Sequence, residues 1–75
     1  MSYNVHFVIE DVKRNFVYHE RDITFATRMD AEDYIEDFAG FVTVANDNAI
    51  QSGDENKTVV EYGRKRLTMT ITEAD

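Results

Sequence analysis

Cysteine and proline are absent from this chain of 75 residues, and it contains no long hydrophobic run. Without cysteine there is no disulfide framework of the kind that indicates secretion, and a reducing compartment fits better. The N-terminal stretch MSYNVHFVIED reaches charged residues too soon for a signal peptide. No window approaches the roughly 20 apolar residues that a membrane-spanning helix needs. We therefore expect a cytoplasmic protein without a membrane partner.

Catalytic and cofactor motifs are missing too. The chain has two serines, Ser2 and Ser52, two histidines, His6 and His19, and no cysteine to serve as a nucleophile. The segment NDNAIQSGDEN carries several acidic side chains but does not match the calcium-binding EF-hand pattern. We therefore predict that the protein is not an enzyme and that it holds neither a cofactor nor a metal ion.

The composition is acidic. Fifteen aspartate and glutamate residues stand against eight lysine and arginine residues, so the formal net charge is −7. Such a chain repels nucleic-acid phosphates, which argues against direct nucleic-acid binding, and it attracts a basic protein partner. Residues 1–75 suffice for a single small domain, and 43% hydrophobic residues indicate that it folds. Because so small a core gains from further burial, a homodimer is also expected.

The first part of the chain predicts a β-hairpin. Apolar and polar residues alternate over residues 3–11, and residues 15–27 (NFVYHERDITFAT) are rich in aromatic and β-branched types. A four-residue loop over residues 11–14 gives the best matching of apolar side chains across the hairpin, with Glu10 opposite Asn15.

This pairing has two further consequences. In this pairing, the apolar side chains in the second half of the second strand would point away from the core, so we expect a bulge near Arg21 and Asp22. The pairing also places His6 directly opposite His19, where the two rings could share a metal ion with Glu10 or Asp22, or act as a protonation switch. Because a zinc site needs three or four ligands, two half-exposed strand residues without a metal are the preferred interpretation.

A short amphipathic helix follows. Thr27, with Asp30 three residues later, resembles a capping box and predicts the helix start. Gly40 suits a C-cap, which predicts a helix of about three turns. Apolar residues span about 100° of its circumference at 3.6 residues per turn. These residues are Ala31, Tyr34, Ile35 and Phe38.

The second half of the chain predicts more strands. FVTVA, residues 41–45, is β-branched and apolar, so we interpret it as a third strand, while a helix continued to Ala49 is the rival interpretation. Residues 46–56 are typical of a loop. Residues 58–72 predict a final hairpin that turns at Gly63. The whole is an α+β fold, ββα(β)ββ: an antiparallel sheet of four to five strands with one amphipathic helix packed on one face.

The helix is also the strongest candidate for a binding surface. Five of the nine residues in DAEDYIEDF are acidic, and no lysine follows any of them at i+4, so like charges repel at a small cost each. Carboxylates on a rigid helix can imitate DNA phosphates and attract the arginines and lysines of a nucleic-acid-binding protein. An ordinary solvated face is the alternative. The predicted partner-binding residues are Asp30, Glu32, Asp33, Glu36 and Asp37.

Basic residues concentrate elsewhere. Five of the eight lie at the two predicted hairpin tips, where they would contact phosphate or only keep the strand edges soluble. They form the alternative, nucleic-acid-binding site: Lys13, Arg14, Arg64, Lys65 and Arg66.

In size, acidity and lack of catalytic motifs, the chain resembles the small inhibitors that phages and mobile elements direct against host defence, including anti-CRISPR and anti-restriction DNA mimics. The resemblance is one of composition and covers no motif, so it assigns no residue. It implies a non-enzymatic inhibitor in the host-cell cytoplasm that occupies the nucleic-acid channel of a basic effector protein. A small nucleic-acid-binding or regulatory protein and a homo-oligomeric structural subunit are the alternatives.

Overall fold

The computed structural model describes residues 2–74. One helix packs on one face of a five-stranded antiparallel sheet. The predicted α+β fold is therefore confirmed, with five strands. The elements in chain order are β1 (Ser2–Asp11), β2 (Phe16–Phe25), α1 (Arg28–Ala45), β3 (Ile50–Asp54), β4 (Lys57–Tyr62) and β5 (Lys65–Ala74). The order of the strands in the sheet is β2-β1-β5-β4-β3.

The core lies between α1 and the sheet. Alternate residues of β1 and β5 point towards the helix, as the period of two in their sequences predicts, and a helical stripe closes over them. Burying one large apolar side chain of this kind contributes about 1.5–3 kcal/mol. The buried hydrophobic residues are Val5, Phe7, Ala31, Ile35, Ala39, Val42, Val60, Leu67, Met69 and Ile71.

The helix begins where the sequence predicts but ends later. Thr27 Oγ1 accepts a hydrogen bond from the backbone N–H of Asp30 at 3.1 Å, which is the expected N-cap. The prediction of a C-cap at Gly40 is wrong, because α1 continues through that residue to Ala45. The reason is that Val42 extends the buried stripe by one more turn.

The third strand is also displaced from its predicted place. Residues 41–45 are helical, so the strand interpretation is wrong and the rival helical one is closer, although the helix stops before Ala49. The strand that completes the sheet is β3, in the segment predicted to be a loop, and it pairs with β4 over five residues. All five residues of β3 are exposed, so backbone pairing with β4 holds this strand without the apolar pattern that would mark it in the sequence.

The hairpin of β1 and β2 forms with a different register. Its loop covers residues 12–15 and not 11–14, so that Asp11 pairs with Phe16 and Glu10 with Val17. One extra residue of β2, Tyr18, then shifts the pairing, and Ile9 lies opposite His19. The predicted bulge near Arg21 and Asp22 is therefore wrong in position, because the shift of phase occurs earlier along the strand.

The turn chemistry explains this register. Asp11 Oδ1 accepts hydrogen bonds from the backbone N–H groups of Lys13 and Arg14, both at 3.0 Å, which fixes a turn immediately after β1. Asn15 closes the turn with a φ of 54°, a left-handed conformation that asparagine tolerates well. The turn therefore sets the pairing next to the loop, while beyond the bulge the strands pair so that Val5 lies opposite Ile23 and Tyr3 opposite Phe25.

Among residues 2–74, α1 is too polar to cross a membrane, and the chain has no other helix there.

Replacing Gly40 by alanine is expected to stabilise the protein by about 1 kcal/mol, because alanine favours a helix interior and its methyl group would meet no atom within 4 Å. Urea denaturation measures the change. Gly53→Ala is the control and is expected to destabilise the protein, since Gly53 has a φ of 127° and its added Cβ would collide with the carbonyl oxygen of Lys57. A Gly40→Ala variant less stable than the original would contradict a continuous helix.

Candidate functional site

All five predicted partner-binding acids lie on the exposed surface of α1. They do not form a single row. At 100° per residue, they occupy an arc of about 160° on the side away from the sheet. Asp30, Asp33 and Asp37, hereafter the aspartate row, follow one another on the outer surface, on the side of Tyr34, whose ring contacts Phe25 of β2. Glu32 and Glu36 lie on the flank towards β3 and β4, beside Gln51 and Lys57.

One of the five acids is paired within the molecule. Arg28, four residues before Glu32, donates from Nε to Glu32 Oε2 at 3.1 Å. Its Nη2 atom donates to the backbone oxygen of Glu55 at 2.8 Å and to Asn56 Oδ1 at 2.9 Å. Arg28 therefore ties the start of the helix to the turn between β3 and β4. This pair was not predicted from the sequence, because the base precedes the acid by four residues and only bases that follow an acid at i+4 were considered.

The other four carboxylates have no such partner. Within residues 2–74, no lysine, arginine or histidine nitrogen lies within 4.0 Å of the side-chain oxygens of Asp30, Asp33, Glu36 or Asp37. Asp30 lies in the first helical turn, where the helix dipole favours a negative charge. The remaining carboxylates project into solvent and repel one another, so their combined negative potential reaches outside the molecule.

Beside the aspartate row lies an apolar surface that the sequence analysis missed. Tyr34 and Phe38 pack partly into the core, where the Phe38 ring meets the Phe7 ring edge-on with centroids 4.9 Å apart. Phe41 and Val44 follow on the same side and are 71% and 86% exposed. We call these four residues the apolar patch. The signal in the sequence was their spacing at i, i+4, i+7 and i+10, which the strand interpretation of residues 41–45 concealed.

The basic residues gather at one end of the sheet. The two hairpin loops are neighbours there, since the backbone N–H of Val12 donates to the carbonyl oxygen of Arg64 at 2.9 Å. Four exposed cations from the two loops therefore lie together, and we call them the basic end: Lys13, Arg14, Arg64 and Lys65. The fifth predicted residue, Arg66, belongs to the open face of the sheet, where it lies between Glu61 at 3.2 Å and Glu10 at 3.8 Å.

A buried carboxylate lies beneath the basic end. Asp11 is only 1% exposed, and its Oδ2 accepts a hydrogen bond from the Tyr18 hydroxyl at 3.1 Å. Hydrogen bonds from the backbone N–H of Arg14, the Tyr18 hydroxyl and the N–H of Lys13, with the nearby charge of Arg64, hold the pKa of Asp11 below its usual value. Asp11 is therefore an internal counter-charge to the basic end.

The predicted pairing of His6 with His19 is wrong. Because of the bulge at Tyr18, His6 lies on the open face of the sheet opposite Asp22, while His19 lies on the helix side opposite Ile9. The His19 ring meets the Phe7 ring at 5.7 Å. Two rings on opposite faces of a sheet cannot share a metal ion, and no group of three or more potential ligands is arranged for one within residues 2–74.

His6 instead lies between two carboxylates. Its Nδ1 is 2.9 Å from Asp22 Oδ1 and its Nε2 is 2.9 Å from Glu20 Oε2, while Asn4 Nδ2 also donates to Asp22 Oδ1 at 2.8 Å. Only the protonated ring can donate to both carboxylates at once. The hydrogen bond to Asp22 is the largest influence that raises the pKa of His6 above its usual value of 6.5.

No protein-family model, curated protein or solved structure matches this chain.

His6 is expected to titrate with a pKa above 6.5, which NMR of its ring protons would measure as a function of pH. Replacing Asp22 by asparagine removes the main cause and is expected to lower this pKa, whereas Asp47→Asn, in the loop after α1, serves as the charge-matched control. Because the pKa is raised in the folded state, the interaction stabilises the protein fully below pH 6.5 and is lost as the pH rises through the folded-state pKa. A His6 pKa unchanged by Asp22→Asn would disprove this assignment.

Proposed function

We propose that this protein is a small non-enzymatic inhibitor that binds a basic, nucleic-acid-binding protein through the outer surface of α1. The observation that supports this most is a set of carboxylates on one continuous helix that have no basic partner within residues 2–74: Asp30, Asp33, Glu36 and Asp37. The proposed role is that of the anti-defence inhibitors of phages and mobile elements, of the anti-CRISPR or anti-restriction type, and its place of action is the cytoplasm of the host cell.

The physical basis is competition with nucleic acid. The members of the aspartate row are separated along the helix axis by about 4.5 Å and 6 Å, and DNA phosphates on one strand recur every 3.4 Å or so along the duplex axis. A cleft lined with arginine and lysine to hold phosphates would therefore meet a row of carboxylates a few ångströms apart, at intervals wider along the axis than those of the phosphates. The helix is held to the sheet by its buried stripe and by Arg28, so it loses little conformational freedom on binding.

The overall charge favours the same kind of partner. A net charge of −7 on 75 residues steers the protein towards positively charged surfaces and away from nucleic acid itself. Such steering raises the association rate most at low ionic strength, so capture of the partner is expected to weaken as salt is added.

Reversing Asp33, Glu36 and Asp37 to lysine is expected to abolish capture of nucleic-acid-binding proteins from a host-cell lysate, because it replaces the negative surface by a positive one. Immobilised protein, followed by mass spectrometry of what it retains, measures this. Glu32 is left unchanged because its pair with Arg28 supports the fold. Added duplex DNA is expected to displace the captured proteins.

The matched control reverses three exposed acids outside α1 and its bordering depression, Glu20, Asp47 and Glu73, and gives the same net charge. This variant is expected to retain most of the captured proteins. If both variants retained the same proteins as the original chain, or if DNA displaced none of them, binding through the acidic helix would be refuted. Circular dichroism of each variant establishes that the fold is intact.

A second candidate function, direct contact with nucleic acid, is favoured by one observation: the fold brings the two basic loops together. Four cations within one end of a small sheet offer a local positive potential despite the net negative charge. The helix surface and the basic end are distinct parts of the molecule, so the two functions are separable by substitution.

Replacing Lys13, Arg14, Arg64 and Lys65 by serine is expected to eliminate any gel shift of a short DNA duplex at low salt, because phosphate contacts dominate such binding. Arg66→Ala is the control and is expected to leave the shift in place, since Arg66 is already paired with Glu61 and Glu10. Absence of any shift by the original protein at micromolar concentration would rule out this second function.

A further inference from the structure

Two members of the apolar patch, Phe41 and Val44, contribute little to the core, whereas Tyr34 and Phe38 pack partly against it. Ala39 and Val42 already close the core beneath this part of α1, and they are almost fully buried. Phe41 and Val44 point away from that core and expose most of their surface. Exposed apolar side chains that cluster beside polar ones are typical of surfaces that bind another protein.

Three residues of the apolar patch and one residue of the aspartate row line a common depression. Its lining consists of Tyr34, Asp37, Phe38 and Phe41, so a carboxylate stands at the rim of an otherwise aromatic surface. Asp33 is one helical turn before Asp37 on the same side of α1, and Val44 lies two turns beyond it. Any molecule that enters the depression therefore meets aromatic rings and a negative edge at the same time.

The charges decide between occupants. A second copy of this chain docked on the same surface would bring two aspartate rows together, which like-charge repulsion opposes. An anionic membrane surface is repelled for the same reason, given the net charge of −7. A basic polypeptide with apolar side chains complements both the aspartate row and the apolar patch.

We propose that the apolar patch and the aspartate row together bind an amphipathic basic segment of a partner protein. An apolar side chain of the segment enters between Tyr34, Phe38 and Phe41, and its flanking lysines or arginines pair with Asp33 and Asp37. The inference rests on the proposed function and narrows it. The surface of the partner protein that is bound carries basic residues around an apolar anchor, and it is not a phosphate-binding channel lined with basic residues alone. Burial of the anchor makes part of the affinity independent of salt.

Two synthetic peptides of equal charge test this inference. One is an 18-residue lysine–leucine helix with leucines along one face, and the other has serine in place of every leucine. Fluorescence anisotropy at about 150 mM salt, where surface charges are partly screened, measures their affinity for the full chain. The leucine peptide is expected to bind at least about tenfold more tightly, and Phe41→Ser is expected to remove about tenfold of its affinity.

Ile50→Ser provides the matched control, because Ile50 is 68% exposed but lies on β3. It is expected to leave peptide affinity unchanged. Equal affinity of the two peptides, or equal effects of Phe41→Ser and Ile50→Ser, would overturn the inference. Amide NMR of the original chain supplies a test without substitution: shifts confined to residues 30–45 support the site, and shifts confined to the strands reject it.

The same assay separates this inference from the proposed function. If the double variant Asp33→Lys, Asp37→Lys loses binding while Phe41→Ser does not, binding through the acidic surface is supported and the apolar anchor is refuted. If Phe41→Ser abolishes binding while the two reversals do not, the apolar site stands without the contribution of charge, and both the basic character of the segment and the proposed electrostatic function fail.

Discussion

The geometry of this protein depends on the carboxylate of Asp11. It is buried at the end of β1, it accepts hydrogen bonds from two backbone N–H groups of the following turn, and it accepts a third from the Tyr18 hydroxyl. Because of these bonds, the turn starts one residue later than the position that matching of apolar side chains across the hairpin predicts. This displacement sets the pairing next to the loop, and the bulge at Tyr18 then moves the two histidines onto opposite faces of the sheet.

The fold separates the charges of the chain along its length. Arg28, at the start of α1, contacts the turn between β3 and β4, and Asn46, just beyond its end, borders the same depression as Arg64 and Lys65. The helix therefore runs from an acidic region to the basic end, and the negative end of its dipole points towards the cations. This arrangement is electrostatically favourable within the molecule, and it leaves each surface available to a different kind of partner.

The elements predicted correctly are those that depend on residues close together in the sequence. Alternation of apolar and polar residues predicted β1 and β5, and Thr27 with Asp30 predicted the start of the helix. The end of the helix was missed because the β-branched run FVTVA locally favours a strand, whereas in the fold Val42 lies in the helix and is buried in the core. Strand β3 was missed because IQSGD has no apolar period and is held by its partner strand. The five acids were located correctly on the helix surface, but the aromatic residues beside them depended on the extension to Ala45.

The two strands at the heart of the sheet come from opposite ends of the sequence. Ser2 and Ala74, 72 positions apart, are direct neighbours, and β1 pairs with β5 over its whole length. Before β5 is synthesised, β1 has only β2 beside it and most of the core is missing. The domain therefore cannot be completed while the residues of β5 are still inside the ribosome. The protein therefore acquires its complete structure only after β5 has been translated. Long-range pairing of this kind also slows folding relative to helical proteins of the same size.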